Sequence, residues 1–145
     1  MLNHHLKSDA AHAMCMAARL FERAMADELG PQGITFRQCQ VLAWLAIAGD
    51  LSQTELADNM NIEPQTLVSV LDRMERDGLV AREPCPEDRR KKLIRPKPKA
   101  KPVWKRIMQC ADQVRATAFE GLSKSEVTNL KTLLDRVQAN LARTN

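Results

Sequence analysis

The stretch NIEPQTLVSVLDRMERDGLVAREPCPEDRRKKLIRPKPK, residues 61 to 99, decides the fold. It reads as one helix followed at once by a basic β-hairpin. Pro64 suits a first helical turn, where its missing N–H costs no hydrogen bond, and Gly78 suits the residue just past the end, so a helix is expected from about Pro64 to Asp77. At roughly 100° per residue, Leu67, Val70, Leu71 and Met74 fall on one side, and Gln65, Thr66, Ser69, Asp72, Arg73 and Arg76 on the other. The first side is a core face. The second begins with short neutral hydrogen-bonding groups that fit against base edges, and its arginines lie further along. An ordinary surface helix with a solvated face has the same pattern; the charge that follows separates the two. From Arg89 to Arg106 stand ten basic residues (Arg89, Arg90, Lys91, Lys92, Arg95, Lys97, Lys99, Lys101, Lys105 and Arg106) and no acidic one. The whole chain carries +4, so everything outside this window sums to −6. A surplus this local points to a placed phosphate-binding patch rather than a generally basic protein.

The 145 residues suit one domain, large enough to bury roughly two-thirds of its unfolded surface. Two Trp, three Phe and no Tyr leave the core to aliphatic and Met side chains. A row of aromatics for stacking single-stranded bases is absent, so double-stranded DNA fits better than RNA. Cys15, Cys39, Cys85 and Cys110 lie 24, 46 and 25 positions apart, which is neither a CxxC metal pair nor a secreted disulfide framework. Free thiols in a reducing cytosol follow. No apolar run reaches membrane-spanning length, and Ala10–Ala18, flanked by Asp9 and Arg19, is unlike a signal peptide. A cytoplasmic protein is expected.

Around the central stretch the chain reads as helices. His4, His5 and His12 have no acid or Cys at ligand spacing, so a solvated terminus is expected and no metal site. Apolar residues at Ala10, Ala13, Met14, Ala17, Leu20, Phe21, Ala24, Met25 and Leu29 make a long first helix, ended by Gly30, Pro31 and Gly33. Thr35 with Gln38, Ser52 with Glu55 and Ser123 with Glu126 have the spacing of capping boxes, each opening a helix. The first of these carries Val41, Leu42, Leu45 and Ile47; the second is short, with Leu56 and Met60, and makes a helix-turn-helix with the helix at Pro64. Leu79–Arg82 and Lys92–Arg95 are the expected strands of the hairpin, with Glu87-Asp88-Arg89-Arg90 at its tip, and Pro96 and Pro98 are expected to stop the pairing. Lys101 to about Gly121 forms a helix with Val103, Ile107, Cys110, Ala111, Val114 and Ala118 on one face. The last helix places Val127, Leu130, Leu134, Val137 and Leu141 at alternating steps of three and four. That is a coiled-coil seam. A small domain has little core left to receive its first and last helices, so a second copy is expected to cover them.

Two helices, a helix-turn-helix, a wing and two further helices, with LVSVLDRMERDGLV at Leu67–Val80 and DRRKKLI at Asp88–Ile94, resemble the MarR family of bacterial transcription regulators over nearly the whole chain. NIEPQTLV and the later KAKPVW are more particularly similar to the SlyA-like branch. The resemblance implies a mainly α fold with a small β-hairpin, a winged helix-turn-helix at residues 35–99 flanked by dimerisation helices at 1–34 and 100–145. It implies a homodimer that grips a pseudo-palindromic operator with its recognition helices in major grooves and its wings in minor grooves, acting as a repressor. An Asp-x-Arg at the wing tip falls on Asp88 and Arg90. A guanidinium held by a carboxylate enters a narrow, electronegative minor groove with less entropy lost. The DNA-binding set is Gln65, Thr66, Ser69, Arg73, Asp88, Arg89, Arg90, Lys91 and Lys92, with the two lysines on phosphates. Two departures stand out. Many relatives carry arginine where Ser69 stands, and Pro96-Lys97 replaces a usual Leu-Thr, which is expected to shorten the hairpin.

The resemblance further implies regulation, either by a small phenolic or aromatic inducer lodged between dimerisation helices and winged domain or by cysteine oxidation. Met14, Phe21, Phe36 and Trp44 are the candidate ligand-lining residues. Cys15, one turn from Arg19, and Cys85, near the basic wing tip, are the redox candidates. No Gly-rich phosphate loop, HExxH or nucleophile with a His partner points to an enzyme, and no cofactor is expected. The competing function is a winged-helix protein-interaction module, which has no need for Arg89–Lys92 beside an exposed polar helix face.

Overall fold

The computed structural model describes residues 5–144. His4 lies outside them, and His5 and His12 are exposed. Helix α1 spans Ala10–Leu29, with the Asp9 carboxylate accepting the Ala11 N–H at 2.8 Å. A short 3-10 turn over Gly30–Gln32 ends at Gly33, whose φ of 71° needs a residue without Cβ. All three capping boxes form with both reciprocal bonds, at the starts of α2 (Phe36–Ala48), α3 (Gln53–Met60) and α6 (Lys124–Ala142). Asn61, at φ 52°, turns α3 into α4 (Pro64–Arg76); a short amide side chain tolerates that left-handed conformation.

Past Gly78 come β2 (Val80–Pro84) and β3 (Lys92–Pro96), paired antiparallel from Val80↔Pro96 to Pro84↔Lys92. The strand β3 ends at Pro96, one residue past the expected Arg95. At a strand end its missing donor is tolerated, and one backbone bond follows it, from the Lys97 N–H to the Leu79 carbonyl at 2.8 Å. A third strand, β1 (Leu51–Ser52), pairs with β3, giving the order β1-β3-β2. Helix α5 covers Ala100–Ala118.

The core gathers under this sheet, where Val41, Leu56, Leu67, Leu71, Met74, Val80 and Ile94 are fully buried. Leu29 and Ile107 extend it between α1 and α5. Ile47 is 75% exposed, contrary to expectation: it lies roughly 200° around the helix from Leu45, off the core face. Ala118, on the last turn of α5, is exposed too. Helix α6 buries none of its residues, and Leu20 on α1 and Leu130, Leu133 and Leu141 on α6 are exposed. Among the described residues no helix is long and apolar enough to cross a membrane.

Candidate nucleic-acid interface

Helix α4 buries Leu67, Leu71 and Met74 and leaves Val70 half-buried, which orients the opposite side outward. Gln65, Thr66, Ser69, Asp72, Arg73 and Arg76 are accordingly all exposed. Burial of three large apolar side chains, each worth about 1.5–3 kcal/mol, fixes the rotation of the helix about its axis, so the polar face follows from the core face.

The wing tip is organised by Asp88. Its Oδ1 accepts the Arg90 backbone N–H at 3.0 Å, an Asx-turn, and lies 3.5 Å from Arg90 Nε. The Lys91 N–H donates to the Asp88 carbonyl at 2.9 Å, and the Cys85 N–H to the Lys91 carbonyl at 3.0 Å, closing the loop. Asp88 is half-buried while the Arg90 side chain is 94% exposed. The arginine thus extends from a fixed root, and among the described residues its side chain pairs with Asp88 alone. Arg89, Lys91 and Lys92 are exposed beside it. On the neighbouring α3, the Ser52 backbone N–H, then its hydroxyl, hold the Glu55 carboxyl below its ordinary range, and the charge of Lys91 acts in the same direction.

One member of the basic run is occupied otherwise. Arg95 Nη1 reaches Glu83 Oε2 and its Nε reaches Asp50 Oδ2, each at 2.8 Å, tying β3 to β2 and to the turn before β1. Arg82, read from sequence only as a strand residue, points back onto α4: its Nη2 lies 2.7 Å from Asp72 Oδ1 and 3.0 Å from the Val68 carbonyl. An arginine inside an alternating strand was the available signal for both.

The four ligand candidates lie on two helices. Met14 is half-buried and Phe21 exposed on α1, whereas Phe36 and Trp44 on α2 pack against the core. A cavity of about 310 Å³ opens instead between α2, the end of β3 and the start of α5, lined by Leu42, Leu45, Pro96, Pro98, Ala100 and Trp104, with Lys97 and Lys101. None of the four candidates lines it. Cys15 is exposed on α1 and Cys85 half-buried in the wing loop. Cys39 and Cys110 are buried; burial, and secondarily the neighbouring Cys110, push the Cys39 thiol up to about 11. Cys110 donates its S–H to the Glu28 carbonyl at 3.6 Å. Among the described residues no group of three or more His, Cys, Asp or Glu could hold a metal ion.

A helix-turn-helix whose outward polar helix stands beside a three-stranded sheet with a basic hairpin tip is a winged helix-turn-helix. Residues 32–91 match the family model described as MarR family. MarR from E. coli in its apo form is 25% identical, with a TM-score of 0.78 over 89% of this chain and 96% of that one. A mutant of that protein complexed with operator DNA is 25% identical, with a TM-score of 0.74 over 88% and 91%. Bordetella bronchiseptica BpsR, whose DNA binding is regulated by 6-hydroxynicotinic acid, shares the fold at 23% identity, with a TM-score of 0.77 over 94% and 98%. The family match covers residues 32–91, and these neighbours share the fold of the chain around it.

Proposed function

We propose that this protein is a cytoplasmic, homodimeric repressor of the SlyA-like branch that binds a pseudo-palindromic operator in double-stranded DNA. The observation that carries the reading is the wing tip, where a half-buried aspartate roots an arginine that is 94% exposed, beside the outward polar face of α4. In this reading Gln65, Thr66 and Ser69 meet base edges in the major groove, with Arg73 further along the helix. Arg90, with Arg89 beside it, enters the flanking minor groove, and Lys91 and Lys92 contact phosphates. A related MarR has been crystallised with operator DNA, which supports the assignment.

Residues 35–99 form the DNA-reading unit, and residues 1–34 and 100–145 the dimerisation helices. Support comes from α6, which has no buried residue in the single chain yet carries exposed leucines, and from exposed Leu20 on α1. Such a stripe asks for an apolar partner, and a twofold copy supplies one with the same stripe. The experiment is selection of random duplexes: enrichment of a palindrome with half-sites about one helical turn apart is expected. No enriched sequence would overturn the reading in favour of a protein-interaction module.

Two regulatory inputs belong to the same reading. The cavity beside Trp104, apolar with two lysines in its lining, suits a small aromatic or phenolic acid, and BpsR offers a precedent for small-molecule control. Calorimetric titration with salicylate is expected to give heat and to weaken DNA binding; absence of both removes the input. Oxidation at Cys15 or Cys85 is the other route, and peroxide treatment that leaves DNA affinity unchanged removes it.

A further inference from the structure

Arg82 joins the two DNA-reading elements more directly than any of the candidate contacts. Its Cα pairs with Ile94 in the middle of the wing sheet, so its backbone is fixed by the hairpin. Its side chain leaves the wing and binds α4 at Asp72 Oδ1 and the Val68 carbonyl through Nη2. Its backbone N–H adds a third bond, to Glu75 Oε2 at 3.2 Å. Three bonds from one strand residue therefore span two turns of the recognition helix.

The energetics suggest that stability is not what this arrangement serves. The Arg82 side chain is 19% exposed, and its buried Nε–H has no partner among the described residues. A desolvated guanidinium held at one end carries a cost that an apolar side chain at the same seam would avoid. An ion pair also has a direction and a length, which apolar packing lacks.

We propose that Arg82 is a positioning residue: by clamping Val68 and Asp72 of α4 to β2 it fixes the spacing between the recognition helix and the wing-tip arginine, so that both grooves are engaged at once. The proposal rests on the DNA-binding reading for its functional consequence, but the clamp itself is a property of the free protein. If α4 and the wing were free to shift against each other, a duplex satisfying the helix would meet Arg90 only in a fraction of the population, and the minor-groove contact would contribute less.

The test is a double-mutant cycle of Arg82→Met and Arg90→Ala, read by anisotropy on the duplex enriched from the random pool and on a scrambled duplex, together with amide exchange of the free proteins. Methionine keeps the volume and stem of the arginine. With the clamp intact, Arg90→Ala is expected to weaken the enriched duplex about tenfold or more. In the Arg82→Met background its effect is expected to shrink to threefold or less, binding of scrambled DNA by the Arg82→Met protein to be unchanged, and residues 80–96 to exchange faster with the melting temperature within a few degrees of wild type. Asp72→Asn, which keeps the shape and removes the charge, is expected to reproduce the non-additivity. An additive cycle would overturn the proposal and leave Arg82 a structural residue. Should wild type bind no duplex specifically, the DNA reading fails, and unchanged exchange across residues 80–96 in Arg82→Met would then overturn the clamp as well.

Discussion

Replacing Leu130 on α6 by alanine perturbs the proposed dimer without touching the core of the single chain. Leu130 keeps 41% of its surface exposed, and no residue of α6 is buried. Fully burying a leucine stabilises by about 1.5–3 kcal/mol, so covering the remaining two-fifths is worth about 1 kcal/mol. A twofold interface contains the residue twice, which makes the truncation cost about 2 kcal/mol of dimerisation free energy, or roughly a thirtyfold rise in the dimer dissociation constant. Sedimentation equilibrium across a concentration series reads that constant directly. The helical circular dichroism of the monomer fraction is expected to stay unchanged, because little inside the chain depends on this side chain. A variant that dimerises as tightly as wild type, or a wild type that sediments only as the 16.3 kDa chain at micromolar protein, would refute the reasoning.

Other outcomes follow from the core, the caps and the thiols. Leu71→Ala, at a fully buried position under the outward face of α4, is expected to cost about 2–5 kcal/mol in chemical denaturation; a loss under 1 kcal/mol would contradict the packing that orients that face. The Glu55 carboxyl sits below its ordinary range in the folded state, so its share of stability is present above the unfolded value near 4.5 and is lost as the pH falls through the lower folded value. Glu55→Gln should flatten that acid limb, as measured by denaturation midpoints against pH. Cys39 behaves in the opposite sense. Its folded value, raised to about 11 from 9.0, means that the unfolded chain ionises first, so stability declines as the pH rises from 9 towards 11. In a thiol titration at pH 8 the exposed Cys15 is expected to react at once and Cys39 only after unfolding; prompt labelling of Cys39 would contradict its burial.

What could be read from the sequence is what is decided locally. Each capping box rests on two residues three apart, and all three form. The apolar face of α4 was legible because Leu67, Leu71 and Met74 repeat at the helical period, and that face dictates where Gln65, Thr66 and Ser69 point. The misses involve partners far apart in sequence. Two residues, Leu51 and Ser52, carry no strand signal alone; they become β1 only because Ile94 and Leu93 arrive beside them. The cavity beside Trp104 joins α2 to the β3–α5 connection, and the clamp at Arg82 depends on α4 running past β2. Neither juxtaposition leaves a trace in local periodicity. The wing tip was expected through the resemblance, which places an Asp-x-Arg on Asp88 and Arg90, and the two residues interact in the structure.

The most direct measurement is an anisotropy titration of wild type and Arg90→Ala against the duplex enriched from a random pool, at several salt concentrations. The Arg90 side chain is 94% exposed and, among the described residues, paired only with Asp88, so its removal is expected to leave the fold intact. The account predicts a palindromic duplex held far more tightly than scrambled DNA, with Arg90→Ala losing roughly 1–3 kcal/mol per site. Weak binding that fades with salt equally in both proteins, without sequence preference, would contradict it and make the basic wing an unspecific charged patch.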